Sequence, residues 1–125
     1  MDNNNYNYNY LIQVLNILAA SFKDQIKVFP DFVVIPDEIA LLFDDIYLSI
    51  DSLKKNGFVS AELALILEKI DYCLDSMSGN KSKWDLQSLK NDSEWEEIRN
   101  LAKSSLNILN IHADKPVIDF VKWIK

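Results

Sequence analysis

The stretch PDEIALLFDDIYLSIDSLKKNGFVSAELALILEKIDYCLDSMSG, residues 36–79, reads as two amphipathic helices joined by a tight turn. Pro36 followed by Asp37 and Glu38 suits a helix start, because proline presets φ and early acids meet the positive end of the helix dipole. Lys54, Lys55 and Asn56 precede Gly57, a residue that takes the left-handed conformation of a helix C-cap without strain. Ser60 is placed to cap a second helix that runs to Met77 and stops near Gly79.

On a 3.6-residue period the first helix (37–55) turns Ile39, Leu42, Phe43, Ile46, Ile50 and Leu53 to one side. The second (61–77) does the same with Leu63, Ile66, Leu67, Ile70, Leu74 and Met77. Matched apolar faces around Gly57 predict a central antiparallel αα-hairpin. Working outward, Leu11, Leu15, Leu18, Phe22, Ile26 and Phe29 predict one helix over 8–28. The Asn/Tyr-rich start, residues 1–9, is expected to fray. FPDFVVI (29–35) is too short for a helix and is expected to cross the core in extended form. Residues 79–92 form a polar connection, with Trp84, Leu86 and Leu89 pinning a short helical turn.

Ser93 with Glu96 has capping-box spacing, opening a helix over 93–109 that buries Trp95, Ile98, Ala102, Leu106 and Leu109. Pro116 opens a last short helix, with Val117, Phe120, Val121 and Ile124 on one stripe. Only 2 glycines and 3 prolines in 125 residues favour a few long helices over many short strands. The expectation is one all-α domain over residues 1–125, a bundle of four to five helices.

The net charge is -6, and it is unevenly placed. Residues 37–78 hold nine acids against three lysines, so this stretch carries the whole excess. Such a field repels nucleic acid and anionic lipid and attracts basic protein surfaces. Cys73 is the only cysteine, which excludes an intrachain disulfide and fits a reducing compartment. The apolar run from Leu11 to Ala20 lacks a basic leader and is broken by Gln13 and Asn16, so it does not read as a signal peptide. No apolar stretch reaches membrane-spanning length, and a cytoplasmic location is expected.

Helical geometry also places Leu41 and Leu48 on the first hairpin helix, and Leu65 and Tyr72 on the second, opposite the main apolar faces. Asp37, Asp44 and Asp51 line one flank of the first helix, and Glu68 and Asp75 one flank of the second. One reading packs both helices on two sides, with the acids merely solvated. The other is a protein-binding surface of Asp37, Leu41, Asp44, Asp45, Tyr47, Leu48, Asp51, Glu68, Tyr72 and Asp75, in which apolar anchors supply affinity and charges supply steering. Asp44 and Asp45 beside Tyr47 form the densest acidic cluster and rank first as a contact.

Nothing in the chain has the pattern of a catalytic, metal or cofactor site. There is no glycine-rich phosphate loop, no Ser/His/Asp arrangement and no zinc spacing. His112 stands alone near a helix end and is read as a carbonyl cap. Cys73 is read as a small core residue with no histidine nearby. Asp44 and Asp45 lack the loop of a calcium motif.

The segments IPDEIALLFDDIYLSIDSLKKNG (35–57) and SEWEEIRNLAKSSLNIL (93–109) resemble the helical immunity proteins of bacterial contact-dependent growth inhibition systems. That resemblance implies a cytoplasmic, non-enzymatic protein that neutralises a cognate toxin, expected to be a nuclease. The charge agrees independently, because nuclease clefts are basic and a small acidic protein can plug one. Two alternatives are a phage or mobile-element inhibitor that mimics nucleic acid, and a helical adaptor that oligomerises through Leu41, Leu48, Leu65 and Tyr72. The charge is low for a mimic, which needs carboxylates over most of its surface.

Overall fold

Seven α-helices and one 3-10 turn make up the described part of the chain, residues 3–112 of a computed structural model, and no strand occurs there. In order these are α1 (Asn3–Ala19), α2 (Phe22–Val28), α3 (Ile35–Tyr47), α4 (Ile50–Lys55), α5 (Ala61–Met77), the 3-10 turn (Lys81–Lys83), α6 (Leu86–Asn91) and α7 (Ser93–Ile108). The helices outnumber the four or five expected because two long segments are divided and the short helical turn expected in 79–92 is a helix of its own, α6.

The 8–28 segment breaks at Ser21, whose Oγ accepts from the Asp24 N–H at 3.2 Å and starts α2 afresh. Ser21 and Asp24 are a cap pair that periodicity alone does not register. Upstream, α1 begins at Asn3, so much of the stretch expected to fray is helical. Tyr8 rests on Phe58 with ring centroids 5.4 Å apart. The 37–55 segment divides at Leu48 and Ser49, where the Ser49 N–H turns to the Ile46 carbonyl and tightens the chain.

Gly57 ends α4 as expected, at φ +85°. The Phe58 N–H reaches the Leu53 carbonyl at 2.9 Å and the Gly57 N–H the Lys54 carbonyl at 3.2 Å, a Schellman motif. At the end of α7, Asn110 takes φ 59° in the same way, and the Ile111 N–H bonds to the Leu106 carbonyl. Those carbonyls are therefore capped by backbone, and His112 is exposed beyond them.

Two expectations are corrected. FPDFVVI does not cross the core extended. It turns at the surface with the Val33 N–H on the Pro30 carbonyl, leaving Phe32 and Val34 exposed and only Phe29 buried. Ser93 does not form the capping box with Glu96. It is already helical, its hydroxyl meets Glu94, and Asp92 holds the N-cap position. Of the two readings of the 36–79 helices, packing on both sides is the one that the exposure of Leu41, Leu48, Leu65 and Tyr72 speaks against. The helix expected from Pro116 lies outside the described residues.

The apolar faces are otherwise as the periodicity requires, save that Ile26 in α2 and Leu86 at the start of α6, both expected to be buried, are exposed. Ile39, Leu42, Phe43, Ile46, Ile50 and Leu53 are all buried, as are Leu63, Leu67, Ile70, Leu74 and Met77, while Ile66 is half-buried. Trp95, Ile98, Ala102 and Leu106 are buried from α7, with Leu109 half-buried. The most extensive helix contact is α1 on α7, followed by α5 on α7 and α3 on α1. The 36–79 stretch is thus not the centre of the packing, since its helices touch α1 and α7 more than each other.

Two polar devices hold the periphery to this core. Trp84 Nε1 donates to the Met77 carbonyl at 2.9 Å, and Trp95 Nε1 to the Lys83 carbonyl at 2.8 Å, the two rings meeting edge to face at 5.6 Å. Arg99, buried on α7, donates to the Leu89 carbonyl and, at 3.0 Å, to Gln25 Oε1. Gln25 Nε2 in turn donates to the Ile17 carbonyl at 3.0 Å, at the end of α1.

Leu67→Ala should destabilise the chain by about 2–5 kcal/mol through a cavity, whereas Leu48→Ala should change stability by less than about 0.5 kcal/mol. Arg99→Met should lower stability by about 2–4 kcal/mol, because it leaves the Gln25 and Leu89 acceptors unpaired in the interior. Urea unfolding measures all three. Equal losses at Leu67 and Leu48 would contradict the exposure of Leu48.

Candidate protein-binding surface

The four apolar side chains turned away from the core stand in solvent: Leu41 is 57% exposed, Leu48 85%, Leu65 61% and Tyr72 73%. On α3, Asp37, Leu41, Asp44 and Leu48 fall within about 60° of one another, since successive residues turn about 100°. The sequence Asp-Leu-Asp-Leu therefore runs up one line of the helix. On α5, Leu65, Glu68, Tyr72 and Asp75 share a stripe about 80° wide, with Asp71 at its edge.

These stripes meet through their acids. The Asp44 carboxyl is pushed above its ordinary pKa by burial first, then by the charges of Asp71 and Asp75. Asp71, half-buried, is raised likewise by burial, Asp75 and Glu68. The phenol of Tyr47 is raised by burial and by Asp71, Glu68 and Asp51. Its ring stacks on Phe43 at 5.3 Å. Among the described residues every ion pair lies outside 37–78: Lys83 with Asp92 and Glu94, and Arg99 with Glu96. No lysine or arginine of the described chain neutralises the carboxylates between α3 and α5.

Asp44 and Asp45 do not form one cluster. Adjacent residues on a helix diverge by about 100°, and Asp45 faces α1, where it accepts from the Tyr10 hydroxyl at 2.8 Å. Burial and that hydrogen bond raise the Tyr10 phenol well above its usual range. Asp45 is thus a tie between α1 and α3, and Asp71 takes its place among the facing acids. The surface extends at one end into an open groove of about 440 Å³ lined by Asp37, Ala40, Leu41, Ser78, Lys81 and Trp84.

Other chemistry has little to stand on. Among the described residues no group of three or more His, Cys, Asp or Glu side chains is placed to hold a metal ion. Cys73 is half-buried, its thiol pushed up by burial and by Glu97 and Glu94, which keeps it protonated and weakly nucleophilic. No described helix is long and apolar enough to cross a membrane.

A carboxyl whose pKa is raised on folding binds its proton more tightly in the folded chain. Folding is therefore favoured at low pH, and that advantage is lost as pH rises through the raised value. At neutral pH the facing carboxylates oppose folding. Asp44→Asn should raise the melting temperature at pH 7 by an increment equivalent to less than about 1 kcal/mol, given solvent screening. The increment should vanish near pH 3, at about which carboxyls protonate. An equal gain at both pH values would show that repulsion is not its source.

Comparison with protein-family models, curated proteins and solved structures finds no match to this chain.

Proposed function

We propose that this chain binds and neutralises a basic protein through the α3–α5 face, acting in the cytoplasm as an immunity protein against a nuclease toxin domain. It works by occupying a surface, with no catalysis and no cofactor of its own. The reading is supported by one observation above the rest. Like charges are held against each other at Asp44, Glu68, Asp71 and Asp75, with no cation of the described chain among them and with exposed leucines alongside. That arrangement lowers the chain's own stability and is relieved when a basic surface covers it.

The finer geometry of the hairpin belongs to the same reading. Leu41 and Ser78 line one groove, Asp44 feels Asp71 and Asp75, and Tyr47 feels Glu68 and Asp71. A step forward along α3 is matched by a step back along α5, so we read the two as antiparallel neighbours presenting one continuous face. Self-association through Leu41, Leu48, Leu65 and Tyr72 fits less well. A two-fold interface sets the same patch against itself, and here that would oppose carboxylates to carboxylates. A nucleic-acid mimic also fits less well, since the charge excess is confined to residues 37–78.

Charge reversal by Asp44→Lys with Asp71→Lys should slow association with the cognate toxin domain about tenfold or more at low salt and flatten the salt dependence. Leu48→Ala or Tyr72→Ala should instead speed dissociation. Surface plasmon resonance at two ionic strengths separates these effects, with thermal melts as the control for folding. Wild-type kinetics and an unchanged salt slope in the reversed variant would overturn the reading.

A further inference from the structure

The order of side chains across the α3–α5 face narrows the partner. Leu41 and Leu48 sit on the outer side of α3, and Tyr47 on the side turned to α5. On α5 the order is reversed. Asp71, with Glu68 and Asp75, turns to α3, while Leu65 and Tyr72 lie further round, Tyr72 reaching a second depression beside Lys69 and Glu97. In charge the surface is therefore an acidic trough, its carboxylates and half-buried Tyr47 lying between two rows of exposed apolar side chains.

The trough has a helical spacing. Glu68, Asp71 and Asp75 follow at i, i+3 and i+7, about 4.5 and 6 Å apart along the axis. A strand repeats its same-face side chains every ~6.6 Å and needs backbone partners at a sheet edge. The trough offers none, because the backbone on both sides is spent within helices. A helix satisfies its own backbone and repeats its side chains at the pitch of the trough.

We propose that the trough seats one cationic helix of the partner, with lysine or arginine at i, i+4 and i+7 lowered onto Asp44, Glu68, Asp71 and Asp75. Aliphatic residues flanking that row rest on the Leu41/Leu48 and Leu65/Tyr72 side chains. Charge complementarity commits the site to a basic occupant, since the described chain supplies no cation of its own to pair with these acids. The apolar rows commit it to an amphipathic one, since a fully polar helix would leave four large side chains uncovered. The inference rests on the function proposed above and adds the shape of what is bound.

The test uses the full chain and two fluorescein-labelled 15-residue peptides of identical Lys/Leu/Ala composition. One carries lysine at i, i+4, i+7 and i+11 between leucines, and the other is scrambled. Fluorescence anisotropy at 150 mM salt should show the patterned peptide binding at least about tenfold tighter than the scrambled one. The preference should disappear both in a Leu48→Ala/Tyr72→Ala variant and in an Asp71→Asn/Asp75→Asn variant, each checked for folding by thermal melt. Equal affinity for the two peptides, or no binding of either, overturns the helical occupant. So does a preference that survives in both variants. The toxin kinetics are read separately. If the Asp44→Lys/Asp71→Lys reversal still weakens toxin association while the peptides bind alike, the basic partner stands and only its helical form falls. If that reversal leaves toxin binding unchanged, the proposed function falls even where the patterned peptide binds.

Discussion

A buried guanidinium decides where several parts of this chain sit. Arg99 lies inside α7 at 6% exposure, and burying a cation is expensive unless its donors are met. Its Nη donors meet the Leu89 carbonyl in α6, Gln25 Oε1 in α2 and, at 3.4 Å, the Glu96 carboxylate, while the buried Nε–H finds no partner among the described residues. Each acceptor constrains its own element. Gln25 can reach Arg99 only because the chain breaks at Ser21 and α2 sets off in a new direction, and Gln25 then donates to the Ile17 carbonyl at the end of α1, which also accepts from the Ala20 N–H. Leu89 can reach it only because α6 folds back on α7. One side chain therefore couples α1, α2, α6 and α7, and α5 takes its place against α7.

Much of this was legible in the sequence, for a reason that also explains what was not. Burial in a helix is set by residue type and a fixed angular step, so the faces at Ile39 to Leu53 and Leu63 to Met77 follow from counting. The breaks at Ser21 and at Leu48 and Ser49 do not, because a short interruption can leave the apolar residues on the same side of the molecule. The Ser21-x-x-Asp24 spacing was a usable signal for one of them. Ser93-x-x-Glu96 offered the same signal at α7, and there Asp92, tied to Ser88 and Lys83, took the cap instead. Arg99 and Gln25 were unreadable, being 74 residues apart and of types that usually lie at the surface.

The candidate surface was legible in kind but not in membership. That Leu41, Leu48, Leu65 and Tyr72 leave the main apolar faces follows from their angles. Whether they entered a second core depended on neighbours the angles do not specify, and they face solvent. Asp44 and Asp45 were read together from their adjacency, yet adjacency on a helix separates side chains. Tyr10, 35 residues earlier, claims Asp45. Asp71 comes into the site through the fold, because its charge is felt by Asp44 and Tyr47 on the neighbouring helix.

The placement of Glu68, Asp71 and Asp75 on a capped helix packed against α7 bears on what the surface can do. α5 is capped at Ser60, whose Oγ accepts from the Leu63 N–H at 3.1 Å, and its core face is buried against α7. Carboxylates on such a helix would not have to be gathered on contact with the proposed partner. The chain accepts their mutual repulsion on folding, and the ordering loss on binding is correspondingly small. A flexible acidic loop would give the same long-range attraction but would have to be ordered at the moment of contact, which weakens the complex. Repulsion held on a rigid support favours a partner whose cations are spaced to match, and that is how a modest charge excess can yield specificity as well as speed.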